Sequence, residues 1–210
     1  MCCDCFFCRD KRFYLNEMLE LNTQNWIVYQ NAHVFITPDI APIKKGHFLI
    51  VADEHINGFA NGSRAVYDAL VEAEKYLKQN IYKSNKVMFF EHGAVIPHTA
   101  GGCIDHAHMH AIPFENNVNV NEFLRKYYLL DTPEIPVSYD NLRDFGKKQK
   151  PYILYETENG GFIRSANKLP SQFFRLLVSV NDSKEYNWKL VYKTEISKRL
   201  LKETLNMGTK

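Results

Sequence analysis

Three of the chain's eight histidines occupy alternate positions of one short apolar run, Asp105-His106-Ala107-His108-Met109-His110-Ala111-Ile112-Pro113. In an extended strand, side chains alternate between faces, so His106, His108 and His110 share one face while Ala107, Met109 and Ala111 take the other. A rise of roughly 3.3 Å per residue sets the outer two imidazoles about 13 Å apart, too far for all three to meet one small reacting atom. The central His108 is therefore the residue to touch a substrate. His106 and His110 are left to orient it, to bind a metal or to contact another part of the ligand. Imidazole suits the task because it titrates near neutrality, and its neutral ring offers a nucleophilic nitrogen while the other is held by a hydrogen bond. A structural histidine or a tri-histidine metal site would be the plainer use of such residues.

Two other stretches carry reactive groups. Cys5-Phe6-Phe7-Cys8 is a C-x-x-C pair whose thiolates can reach one zinc from a single tight turn. A zinc site needs about four ligands, and without a second C-x-x-C, histidines must complete it. Cys2 and Cys3 are alternative ligands, and two reduced thiols packed near Phe6 and Phe7 are the bland alternative. Further on, Pro38 and Pro42 frame a loop that cannot continue a ladder, which presents Asp39 outside the sheet as a turn former or a ligand contact.

Together these stretches resemble the histidine triad (HIT) family, whose signature His-x-His-x-His followed by apolar residues reads here His106-Ala-His108-Met-His110-Ala-Ile. Upstream, Asp39-Ile40-Ala41-Pro42, then Gly46-His47-Phe48-Leu49-Ile50-Val51 and His55, resemble the family's ribose-contacting loop, central strand and following turn. The resemblance covers about residues 5 to 113. It implies an α+β fold, an antiparallel sheet with a long helix packed on it, here as a domain at 1–115, followed by a C-terminal extension of a hairpin and helices at 116–210. It also implies that Asp39 accepts the ribose hydroxyls, and that Cys5, Cys8, His55 and His106 hold a structural zinc, as in zinc-containing family members and the related galactose-1-phosphate uridylyltransferases. In the family a Gln, Ser or Thr just before the triad helps hold the phosphate. This sequence has Gly101-Gly102-Cys103 instead, so Thr99, His98 or the backbone there would take over.

The activity so implied is a nucleotidyl hydrolase acting at the α-phosphorus of a nucleotide or dinucleoside polyphosphate. His108 attacks phosphorus, His110 stabilises the developing charge, and His106 orients the strand. No divalent ion is then required for the chemical step. Uridylyl and adenylyl transferases typically carry Gln where this chain has His110, which favours hydrolysis. The competing functions are a nucleotidyltransferase or phosphorylase with the same intermediate, and a non-catalytic nucleotide- or RNA-end-binding module.

The elements that must position these residues are legible in outline. At 210 residues, 45% hydrophobic and 24% charged, the chain can bury a real core, and a net charge of +2 gives no reason to expect nucleic acid or membrane as an obligate partner. Five cysteines, four of them in the first eight residues, fit metal or free thiols in a reducing compartment, and the start lacks the pattern of a secretory signal, so a cytoplasmic protein is expected. Trp26 to Tyr29 and His33 to Thr37 predict short strands, and Gly46 to Val51 a buried one in which His47 is structural. Val66, Ala69, Leu70, Ala73, Leu77 and Ile81 recur at helical spacing, predicting a core-facing helix from a cap at Asn61 or Ser63 to about Tyr82. A strand over Lys86 to Glu91 ends in Glu91-His92-Gly93, which either borders the pocket or only terminates the strand.

Beyond Pro113, a short helix from Val120, a surface connection from Pro133 to Lys150, a hairpin over 152–164 and helices over 170–178 and 196–205 are predicted. The hairpin and the helix after it resemble the tails of longer HIT-like proteins, which carry a Ser-Gln-x-x-Arg pattern, here Ser171-Gln172-Phe-Phe-Arg175. That helix would either suit an anion at its N-terminus or simply pack onto the main domain. A homodimer through the long helix is possible on the same resemblance.

Overall fold

The computed structural model describes residues 5–12, 14–23, 25–83, 86–96, 104–114, 119–128, 132–158, 160–166, 169–170, 172–181 and 188–208. Among these residues, eight antiparallel strands form one sheet: β1 (Tyr29–Gln30), β2 (Val34–Pro38), β3 (Phe48–Ala52), β4 (Val87–Gly93), β5 (His108–Pro113), β6 (Ile135–Pro136), β7 (Tyr152–Thr157) and β8 (Gly160–Ser165), in the spatial order β1-β2-β3-β5-β4-β7-β8-β6. The triad strand β5 sits in the middle. It pairs with β3 (Leu49 opposite His110, Val51 opposite His108) and with β4 (Phe90 opposite His110).

Period-two alternation gives the sheet two different faces. One collects Ile36, Phe48, Ile50, Ala52, Phe89, Met109, Ala111 and Leu154 into an apolar core. A short helix, α1 (Tyr14–Leu19), comes before the sheet, and across this core lies the predicted helix, α2 (Arg64–Tyr76), whose buried side includes Val66, Ala69, Leu70 and Ala73. Ser63 caps it, its hydroxyl accepting from the Val66 N–H at 3.3 Å. The helix does not run uniformly to Tyr82: over Leu77–Tyr82 it widens into π-type turns. There the buried Tyr82 hydroxyl lies 2.7 Å from the Gly46 carbonyl and 2.9 Å from that of Ala111, tying the helix to β3 and β5.

The other face carries Phe35, Leu49, Val51, Met88, Phe90, Ile112, Ile153 and Tyr155, and is covered by the N-terminal segment with Phe7 and by helices α3 (Val120–Tyr128) and α5 (Phe173–Asn181). The predicted hairpin is present as β7 and β8, and β7 pairs along β4, so it continues the triad's own sheet. The stretch expected as a surface connection contains β6 and a helix, α4 (Tyr139–Lys147), capped by Ser138 and burying Leu142 and Phe145. Its backbone comes so close to the core that a Cβ on Gly146 would stand 2.0 Å from the Ala60 carbonyl oxygen. A glycine is required there. The last helix (Glu195–Gly208) closes on β2, and its Thr204 hydroxyl accepts from the Gly46 N–H at 2.8 Å. Among the described residues, no helix is long and apolar enough to cross a membrane.

Candidate active site

His108 opens β5, and its ring is fixed by the chain immediately before it. Its Nδ1 lies 2.7 Å from the carbonyl oxygen of His106. A carbonyl can only accept, so Nδ1 carries the proton. Burial pushes the His108 pKa down, which keeps the ring neutral and leaves the lone pair on Nε2. His108 lines a cavity with Asp39, Leu49, Phe90, His92, Ile104, His110, Gln172, Phe173, Phe174 and Arg175.

His110, two residues along, is set by a longer chain of hydrogen bonds. The Ile43 N–H donates to His47 Nδ1 at 3.2 Å, so a neutral His47 must carry its proton on Nε2. Burial drives the His47 pKa down to about 3, so this ring is neutral. Its Nε2 lies 2.9 Å from His110 Nδ1 and donates to it. His110, whose pKa burial holds well below the usual value, is then protonated on Nε2 and is a hydrogen-bond donor. The ring stacks on Phe90 at 4.6 Å between centroids, and Phe90 stacks in turn on Phe174 of α5 at 4.7 Å. Expected to be merely structural, His47 instead sets the tautomer of a triad histidine.

Asp39 is turned inward rather than presented outside the sheet. One oxygen accepts from the Ala41 N–H at 2.7 Å, and the other meets the Arg175 guanidinium at 2.5 Å, with His47 and His110 each at 3.5 Å. Burial would raise its pKa, but the Arg175 guanidinium overcomes this and holds the carboxyl well below its ordinary range. The Arg175 guanidinium also donates to the Ala41 carbonyl at 2.9 Å. The Arg of the Ser-Gln-x-x-Arg pattern thus faces a carboxylate. Thr99, Gly101, Gly102 and Cys103, expected beside the phosphate, lie outside the described residues, as do His98 and Ser171.

His106 precedes β5 and its ring turns away from the cavity. Its Nε2–H donates to the Ala52 carbonyl at 2.7 Å, which leaves the Nδ1 lone pair directed at a second cluster. In that cluster His106 Nδ1 stands 3.2 Å from Cys5 Sγ, 4.0 Å from Cys8 Sγ and 3.2 Å from His55 Nδ1, and Cys8 Sγ stands 3.5 Å from His55 Nδ1. Tetrahedral zinc, with bonds of about 2.3 Å to sulfur and about 2.0 Å to nitrogen, sets S···N edges of roughly 3.5 Å and N···N edges of roughly 3.3 Å. The four donors fit it. The cysteine turn is itself anchored: Arg12 donates to the Phe7 carbonyl at 2.8 Å and to Asp53 at 2.9 Å, and lies over the Phe35 ring.

The HIT domain family model matches residues 20–117. A search of curated proteins by sequence finds no match. Among solved structures, the chain is similar to a HIT family hydrolase from Clostridium thermocellum at 21% identity and a TM-score of 0.39, covering 56% of this chain and 96% of that one. It is similar to a hypothetical histidine triad nucleotide-binding protein from Sulfolobus tokodaii at 17% identity and a TM-score of 0.38, covering 87% and 100%. For yeast Ap4A phosphorylase in complex with Ap4A, the identity is 12% and the TM-score 0.41, covering 65% of this chain and 57% of that one. The matched segment includes the triad strand, Asp39, His47 and His55, and the chain carries a histidine triad (HIT) domain at residues 20–117, followed by further chain that extends the same sheet.

Proposed function

We propose that this protein is a nucleotidyl hydrolase that cleaves nucleoside phosphate derivatives, dinucleoside polyphosphates among them, at the α-phosphorus through a nucleotidyl-imidazole on His108. The observation that carries the proposal is the 2.7 Å bond from His108 Nδ1 to the His106 carbonyl, which aims a neutral, nucleophilic Nε2 at the cavity. In the first step Nε2 bonds to phosphorus and the bond to the leaving oxygen breaks, the electron pair departing with that oxygen. The proton stays on Nδ1, hydrogen-bonded to the His106 carbonyl, which stabilises the positive charge on the substituted ring. In the second step water adds to phosphorus and gives up a proton to solvent, the N–P bond breaks with its electron pair returning to Nε2, and a nucleoside monophosphate and neutral His108 result.

The His110 Nε2–H donates to a phosphoryl oxygen as charge builds on it. Asp39 lies on the same wall, and a carboxylate has acceptor capacity for a ribose hydroxyl beside its bonds to Arg175 and Ala41. Imidazole is the nucleophile, so the chemical step calls for no divalent ion. Cys5, Cys8, His55 and His106 would hold a structural zinc, which when bound ties the N-terminal turn to the residue whose carbonyl orients His108. Two free thiols as ligands suit a reducing compartment, the cytoplasm.

The test is intact-mass analysis of wild type and His108→Ala after brief incubation with diadenosine tetraphosphate or adenosine phosphoramidate, quenched without acid. Wild type is expected to gain a nucleotidyl mass and release AMP, and His108→Ala to do neither. Turnover surviving in His108→Ala would refute the mechanism, and ADP formed in the presence of phosphate would make the enzyme a phosphorylase. Metal analysis is expected to find one zinc per chain that Cys8→Ser loses; zinc lost from His108→Ala instead would mean that the triad itself is the metal site.

A further inference from the structure

Glu91 and His92 are neighbours on β4 and so face opposite sides of the sheet. Glu91 is fully engaged, accepting from the Tyr152 hydroxyl at 2.5 Å and the Phe59 N–H at 3.0 Å. His92 lines the cavity, and neither ring nitrogen has a hydrogen-bond partner among the described residues, although both are shielded from solvent. Leaving a buried polar group unpaired is costly, so fold stability alone would favour an apolar residue here. Its place explains the exception. β4 and β5 are antiparallel with Phe90 opposite His110, and two residues further in that register His92 comes alongside His108 on the same face. Burial lowers the His92 pKa to about 4, so this ring too is neutral.

We infer that His92 is a further substrate-contacting residue, whose ring N–H bonds the non-bridging oxygen of the α-phosphate on the side of His108 away from His110, an inference that rests on the nucleotidyl-His108 mechanism above. Two donors then flank the nucleophile, His110 along the strand and His92 across it. A neutral imidazole always has one N–H to offer, and with no fixed partner its tautomer follows the ligand. An anionic phosphoryl oxygen, an acceptor only, is the ligand such a donor fits.

The test uses the full chain, its His92→Phe and His92→Asn variants, and the p-nitrophenyl ester of AMP with its Rp and Sp α-thio analogues. His92→Phe is expected to lower kcat on the oxygen ester about 100-fold, with His92→Asn, which keeps an N–H, falling less. The oxygen-to-sulfur rate ratio of one diastereomer should collapse towards one while that of the other is unchanged, and His92→Phe should melt no lower than wild type. Unchanged rates, equal effects on both diastereomers, or a clear fall in melting temperature would each overturn the assignment. If wild type hydrolyses none of the esters, it is the His108 mechanism that fails, and AMP affinity then decides His92: about tenfold weaker binding by His92→Phe upholds the contact, and unchanged binding removes it.

Discussion

The two faces of the sheet are made by the same strands, taken on alternate residues, and they are built on opposite principles. Facing α2, Ile36, Phe48, Ile50, Phe89, Met109 and Ala111 are fully buried and apolar, and the strand carboxyl that shares their face, Glu91, has a donor on each oxygen. On the other face stand His108, His110, His92 and, close by, His47, Asp39 and Arg175, all at or near one cavity. One face stores stability, and the other spends some of it on charges and unpaired nitrogens. The lesson is that a single register decides both: a shift by one residue would exchange Met109 for His108 and put each set where it fails.

Arg175 is the sharpest place to break that contrast. Replacing it by Leu leaves the Asp39 carboxylate buried with only an amide and two neutral imidazoles, and a loss of about 3 kcal/mol or more in folding stability is expected by urea unfolding. Adding Asp39→Asn should recover part of that loss. A neutral Arg175→Leu would mean that the site face is not held by this pair.

Glu91 tests the other face, with a smaller effect that depends on pH. Burial raises its pKa from 4.5 to about 7, so between these values the folded protein keeps a proton the unfolded chain has released. Its stabilising contribution is therefore complete below about pH 4.5 and lost as pH rises through about 7, by an amount on the order of 3 kcal/mol. Glu91→Gln should flatten the dependence of the urea midpoint on pH across that window. An unaltered profile would show that Glu91 is ionised in the folded state at ordinary carboxylate pH.

Much of the fold was legible because its signals are local. The alternation around His108, the helical spacing from Val66 to Leu77 and the Asn-Gly-Gly sequence that signals the hairpin each lie within a few residues of sequence. α4 was missed because Leu142 and Phe145 are its only large buried side chains, set among Asn, Asp, Lys and Arg, and its other anchor is the close approach of Gly146.

Within the site, residue types at fixed spacing pointed to Cys5, Cys8, His55, His106, His108 and His110, but the partners that tune them come from afar. The Arg175 to Asp39 contact spans 136 residues and the His47 to His110 contact 63, and no periodicity reports either. The inward turn of Asp39 follows from Arg175, so Pro38 and Pro42 could reveal the loop but not the direction its carboxylate takes. The Ser-Gln-x-x-Arg pattern was the one signal that the C-terminal helix reaches the triad face.

The ends of the sheet bear on how copies of the protein meet. Its outermost strands, β1 and β6, are two residues each, and β6 contains Pro136, which has no N–H to offer a neighbour. A long bare edge would invite another molecule to add its own strand and to go on adding, the route to fibrous aggregates. Here that route is blunted at both ends. Such edges favour pairing of two copies by side chains on a surface, which closes after one partner, over pairing by backbone, which need not close at all.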